Sequence, residues 1–158
     1  AAIEAVVTPD ELEQIRKKPT ENLLAYDYYL RGLGPMYEGT REGWQTAIKL
    51  FEQAIGEDPH FALAYANIAI AYFFLDQYKR EKKYTDRINA YADKALLYDS
   101  RSAESLIAKA LYYMQNEEYP LALPHLEKAL EYNPNNLDCY SLIGDLSVTS
   151  PTSAPMRG

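Results

Sequence analysis

The feature that most constrains this chain is a unit of 34 residues that recurs in register. Between Ala103 and Pro134, small residues at Ala103, Ala110, Ala122 and Ala129 alternate with large ones at Leu106, Tyr113, Tyr119 and Leu126. The next unit begins at Leu137, 34 positions after Ala103. Apolar residues at helical spacing on either side of Asn116-Glu117-Glu118-Tyr119-Pro120 read as two amphipathic helices. A helix pair of this length cannot bury a core alone, so successive units must stack on one another. The fold class that follows is all-α.

This unit serves as a ruler for the rest. Leu106 to Tyr140 and Ala110 to Gly144 are both 34 residues apart, so the register holds forward. Backward, Tyr65 to Leu106, Ala69 to Ala110, Phe51 to Ala92 and Ala54 to Ala95 are all 41. The surplus of seven places an insertion in the second unit before Ile88, and two extra helical turns would absorb it while returning to nearly the same face. In the first unit a helix carrying Leu24, Tyr28, Leu30 and Arg31 is expected to falter at Gly32-Leu33-Gly34-Pro35. Thr40 is expected to cap its partner helix, which carries Trp44, Ala47, Ile48, Phe51, Ala54 and Ile55. Upstream, Thr8-Pro9-Asp10-Glu11 starts a short helix that runs to about Lys17 or Lys18. Pro19 stops it and Thr20 caps the next. The expected organisation is an N-terminal helix and linker over 1–19 and a repeat domain over 20–147, followed by a disordered tail over 148–158. Within the domain the units span about 24–59, 62–100 and 103–134, with a single closing helix over 137–147.

Composition narrows the function classes. Of 158 residues, 15 are tyrosine against 4 phenylalanine, which suits rings packed between helices with hydroxyls at the surface. The net charge of −7 is uneven: Lys79, Arg80, Lys82, Lys83 and Arg87 against Glu81 and Asp86 leave a local +3, so the remainder carries −10. That acidity argues against a nucleic-acid surface spread over the molecule. No apolar run reaches the roughly 18 to 20 residues of a membrane span. A single cysteine, Cys139, and the lack of a signal-like start point to a cytoplasmic setting.

Catalytic motifs are missing. His60 and His125 sit in different units, and neither has a second histidine one turn on, so they read as solvated. Cys139 has no local base and reads as a structural thiol. Gly32-Leu33-Gly34 lacks the third glycine and the preceding strand of a nucleotide loop. Glu117-Glu118 reads as a solvated turn pair. No catalytic, cofactor or metal site is expected. The basic segment from Lys79 to Arg87, with Tyr78 and Tyr84 available for stacking, offers a nucleic-acid contact. The reading preferred for it is a solvated helix-turn whose charges offset Glu117 and Glu118.

The residues resemble the tetratricopeptide repeat family over roughly Leu24 to Ser147. The third unit carries the pattern through Leu106, Ala110, Tyr113, Ala122, Leu126, Ala129 and Pro134, departing from it at Lys109. The second carries it through Tyr65, Ile68, Ala69, Tyr72 and Ala95, with Ser100 in place of the closing proline and Ala92 in place of an aromatic. The first carries it through Ala47, Phe51, Ala54 and Pro59, with Tyr28 and Gly32 in the first helix if three residues are inserted after them. The resemblance implies a right-handed superhelical solenoid of antiparallel helix pairs that acts as a non-catalytic protein-interaction scaffold. It places the partner on a concave face lined by the first helix of each repeat. Here those positions include Tyr26, Tyr29 and Leu30, then Leu63, Asn67, Ile70, Phe73 and Phe74, then Glu104, Ile107, Leu111 and Met114. Chaperone-binding members hold a carboxylate with basic and amide side chains, of which only Asn67 matches here, so the expected ligand is an apolar helix or extended peptide of a partner protein. The exposed solenoid ends also offer a homodimer contact. At the N-terminus, Val7-Thr8-Pro9-Asp10-Glu11, then Lys18-Pro19-Thr20-Glu21-Asn22 and Ala25 to Gly32, look like a bacterial junction where repeats follow a TolB-like or adenylate-cyclase-type region. That implies a regulatory segment of a longer multidomain protein.

Overall fold

The computed structural model describes residues 6–9, 12–13 and 18–149, with side chains to 147. From residue 23 onward seven helices are described in order: α1 (Leu23–Tyr37), α2 (Arg41–Glu57), α3 (Ala62–Asp76), α4 (Thr85–Tyr98), α5 (Ala103–Gln115), α6 (Tyr119–Tyr132) and α7 (Leu137–Thr149). There is no strand among the described residues. Each helix packs on the next, and α3 also packs directly on α5. The result is an all-α helical solenoid. The tail expected after 147 falls mostly outside the described residues, although α7 itself runs to Thr149. Most of the helix expected from Thr8 lies outside them too; within it the Leu12 N–H donates to the Thr8 carbonyl at 2.9 Å.

Small residues set the helix crossings. Ala47 and Ala54 of α2, Ala69 of α3, Ala92 and Ala95 of α4, Ala110 of α5, and Ala122 and Ala129 of α6 are all fully buried. Phe51, Phe61, Ile68, Ile88 and Leu126 are the large side chains that fill the space beside them. Two apolar clusters result, one centred on α2, α3 and α4 and one on α5 and α6, and Ile70 and Phe73 pack against both.

A second device recurs at the joints between units. The Tyr65 hydroxyl donates to the Pro59 carbonyl at 2.8 Å, and the Tyr140 hydroxyl donates to the Pro134 carbonyl at 3.0 Å. In each case a tyrosine in the first turn of a unit ties back to the proline that closes the previous one. At the joint in between, Ser100 replaces the proline and Leu106 the tyrosine, so the two departures from the pattern fall together.

Four local expectations need correction. The helix does not falter at Gly32-Leu33-Gly34-Pro35; α1 runs through it to Tyr37. Pro35 removes one backbone donor near the helix end, but Gly32 and Met36 are buried against the rest of the domain, and that packing holds the last turn. The seven-residue insertion is not two turns of helix. α3 has 15 residues to the 13 of α5, and its connecting turn spans 77–84 where the later one spans 116–118, so most of the insertion is turn. The three residues added in the first unit lengthen α2, which has 17 residues to the 14 of α6. Finally, α1 is capped by Asn22, whose Oδ1 accepts the Ala25 N–H at 2.9 Å, and not by Thr20. The Thr20 hydroxyl instead donates to Asp58 in the next turn. Thr40 does cap α2, accepting the Gly43 N–H at 3.0 Å.

Glu117 closes α5 with φ of 60°, the left-handed conformation of a helix C-terminal turn. Glu118 N–H then donates to the Tyr113 carbonyl at 2.8 Å and Glu117 N–H to that of Met114 at 3.0 Å. This turn is only three residues long because the backbone reverses so tightly.

Two glycines of α1 give different expectations. A methyl at Gly32 would stand 2.6 Å from the Phe51 ring, whereas apart from the adjoining residues nothing lies within 4 Å of one at Gly34. Gly32→Ala should cost about 1–3 kcal/mol by overpacking, and Gly34→Ala, whose gain in helix propensity is offset by the ring of Pro35 that follows, should cost less. Urea unfolding midpoints read both; equal shifts would mean that Phe51 does not rest on α1 at Gly32.

Candidate partner-binding groove

The first helices α1, α3 and α5 supply the face on which a partner is expected. Along α1, Leu23, Tyr26, Leu30 and Tyr37 recur at helical spacing and are exposed, Leu23 by 84% and Tyr37 by 80%. Tyr29 is half-buried, with its ring 5.1 Å from Phe61 and 5.7 Å from Phe51. On α3, Leu63, Asn67, Ile70, Phe73 and Phe74 are half-buried. Phe74 stacks on Trp44 of α2 at 5.3 Å, and Phe73 meets Phe74 edge-on at 6.0 Å. On α5, Glu104 and Met114 are half-buried, whereas Ile107 and Leu111 are buried in the second apolar cluster. The direct packing of α3 on α5 brings this about, because it turns part of the expected groove lining into core.

Three side chains from three helices meet in a polar row. Asn67 Nδ2 donates to the Leu63 carbonyl at 2.9 Å, and the same side chain acts on the Tyr29 hydroxyl. Burial first, and then the nearby Glu104 carboxylate, hold the Tyr29 hydroxyl well above the usual tyrosine range, with Asn67 opposing them. Glu104 Oε2 accepts the Ser102 hydroxyl at 3.0 Å.

One end of this face opens into a cavity of about 260 Å³ lined by His60, Leu63, Tyr98, Asp99, Ser102 and Glu104. Lys18 and Pro19, from the segment before α1, form another wall of it. That segment is tied down at the joints between units: Asn22 Nδ2 donates to the Glu57 carbonyl at 3.2 Å, and Glu13 lies 3.6 Å from Arg101.

The other end is held by a residue that the sequence pattern does not single out. Asp76, the last residue of α3, is fully buried. Its Oδ2 accepts the Tyr84 N–H at 2.7 Å and Gln115 Nε2 at 3.1 Å. Gln115 Nε2 also donates to Thr85 Oγ1 at 2.7 Å. Lys82 Nζ caps the end of α3 by donating to the carbonyls of Asp76 at 2.8 Å and Gln77 at 3.2 Å. Asp76 thus pins the inserted turn to two helices. Its one signal in the sequence is a charge closing the apolar run Phe73-Phe74-Leu75.

In the basic segment Arg80, Lys82, Lys83 and Arg87 are exposed, as a solvated turn requires. Lys79, Lys83 and Arg87 lie 5.7, 5.4 and 5.7 Å from the centre of the Tyr84 ring, and Arg87 also reaches the Tyr72 hydroxyl at 3.2 Å. The cations are therefore held by the chain's own aromatic rings. Among the described residues none of them pairs with Glu117 or Glu118. Tyr84 is half-buried beneath them, and Tyr78 alone of the two tyrosines is fully presented, at 90% exposure.

His60 is exposed, as expected. His125 is half-buried, with Nδ1 3.0 Å from the Leu121 carbonyl, so it is not simply solvated. Cys139 is buried, and burial, followed by the charges of Asp138 and Glu104, pushes its thiol up to about 11. No group of three metal-ligating side chains exists among the described residues, and no described helix is long and apolar enough to cross a membrane.

No protein-family model and no curated protein matches the sequence. Solved structures do match the fold. The first tetratricopeptide domain of Spaghetti (RPAP3), bound to the HSP90 peptide SRMEEVD, is similar with a TM-score of 0.66 at 17% identity, over 82% of this chain and 97% of that one. The first such domain of human RPAP3 gives 0.64 at 18% identity, over 79% and 91% of the two chains. The second human RPAP3 domain, in complex with the HSP70 peptide SGPTIEEVD, gives 0.61 at 20% identity, over 82% and 98%. At these identities the likeness is one of fold: a tetratricopeptide-like helical solenoid.

Replacing Asp76 with alanine should cost about 3 kcal/mol, since it strands the Tyr84 N–H and the Gln115 amide in a buried place. Asp76→Asn keeps an acceptor there and should cost less. Hydrogen exchange of the Tyr84 amide checks the cause; protection unchanged in Asp76→Ala would show that the turn is held by something else.

Proposed function

We propose that the face of α1, α3 and α5 is a docking groove for an apolar helix or extended segment of a partner protein, and that the chain is a non-catalytic interaction module. The observation that carries this reading is the exposed apolar stripe of α1, Leu23, Tyr26, Leu30 and Tyr37, together with the half-buried rings of Phe73 and Phe74 on α3. Exposed apolar surface on this scale marks interaction sites in folded proteins. The peptide complexes of two solved structures with the same fold support it. The mechanism is preorganisation. Phe74 is already stacked on Trp44 and Tyr29 already seated on Phe51 and Phe61, so these rings lose little freedom when a partner arrives. The resemblance of the N-terminal stretch to a TolB-like or cyclase-type junction sets this groove in a regulatory segment of a longer bacterial protein, which the flanking reading frame would test.

A peptide-display selection against the purified chain tests the groove. Selected peptides should carry apolar anchors at helical or alternating spacing. Their affinity should fall about tenfold or more for the double variant Tyr26→Ala/Leu30→Ala, with the helical fold retained by circular dichroism, because neither side chain belongs to the buried core. Peptides that bind the double variant as tightly as the wild type would place the site elsewhere.

A further inference from the structure

The groove has a charge character that its apolar lining conceals. Glu104 stands in the first turn of α5, half-buried, with the Ser102 hydroxyl on one carboxylate oxygen. Among the described residues no lysine or arginine pairs with it. Lys109, the lysine of the same helix, bonds Asn89 and Asp93 of α4 at 2.6 and 2.7 Å. Lys18 lines the same cavity as Glu104, with its Nζ 3.9 Å from Glu21. The neighbours of Glu104 along the polar row, Tyr29 and Asn67, are neutral. Asp138, exposed on α7, adds a second negative charge near Cys139.

A carboxylate at the edge of an apolar groove decides what can cover it. An occupant that buries Glu104 without a cation strands a charge out of water, and an acidic occupant adds repulsion. We propose, on the premise that the groove is the docking site, that Glu104 selects a partner segment bearing a lysine or arginine beside its apolar anchors. The peptides in the solved complexes of similar fold end in Glu-Glu-Val-Asp, so the chemistry inferred here is of opposite sign to theirs.

The test uses the full chain and two fluorescent amphipathic peptides that share their leucine and phenylalanine positions. One has lysine at its polar positions and the other glutamate. Anisotropy titrations at low salt should show the lysine peptide binding about tenfold or more tightly than the glutamate peptide. Glu104→Gln should weaken the lysine peptide about tenfold, while Glu127→Gln, which removes the same charge from the exposed side of α6, should not. Equal losses in the two variants would reduce the preference to net charge and overturn the role of Glu104. If Glu104→Gln has no effect while Tyr26→Ala/Leu30→Ala still weakens binding, the charge inference falls and the groove stands. Binding of neither peptide overturns the inference, and the displayed peptides then decide separately whether the groove falls with it.

Discussion

The structure depends on how closely one helix can approach the next, and a side chain of one carbon or none sets that distance. Gly32 is the limiting case: the Phe51 ring occupies the space that a methyl would need, so α2 sits against the backbone of α1 itself. Elsewhere alanine does the same work less tightly, from Ala47 in α2 to Ala129 in α6. Interiors pack as densely as organic crystals, so each small residue must be answered by a large one across the crossing. That pairing, repeated from unit to unit, makes the period visible in the sequence and fixes which faces remain for other uses.

The many tyrosines follow from the same geometry. A ring at a joint between units fills apolar space while its hydroxyl reaches a carbonyl at the edge, as Tyr65 does to Pro59 and Tyr140 to Pro134. Phenylalanine in the same place would fill the space and leave that carbonyl to water. Tyrosine faces also collect cations, three of them over Tyr84 and one, Lys94, over Tyr65. The side chains of the basic segment thus rest on rings and on the last carbonyls of α3, while Asp76 holds its backbone at Tyr84.

The architecture was legible because periodicity is a property of the chain alone. The alternation around Ala110 and Leu126 requires helices at those positions whatever else surrounds them. What was not legible depends on partners distant in sequence. Gly32 and Pro35 look like helix breakers until Phe51 and the core around Met36 are set against them. Thr20 is a good cap by residue type, but Asp58, 38 residues away, takes its hydroxyl and leaves the cap to Asn22. Seven added residues fit helix or turn equally well by register, and Asp76, which draws Tyr84 and Gln115 together, settles them mostly into turn. Of the candidate groove, the residue types were readable and their exposure was not, since Ile107 and Leu111 become core only where α3 meets α5.

That last point bears on where the proposed recognition would be concentrated. In this stack α5 loses surface to α3, the first helix of the preceding unit. α1 does not pack closely on α3, and its outward stripe keeps Leu23, Tyr26, Leu30 and Tyr37 in solvent. Apolar side chains left exposed contribute nothing to folding and gain on burial, roughly 25 cal/mol for each Å² removed from water. The polar row from Tyr29 to Glu104 crosses the groove beside this stripe, where apolar area and charge meet. An occupant of the proposed groove that satisfies both would be apolar toward α1 and cationic toward α5, a stricter demand than a greasy surface alone would make.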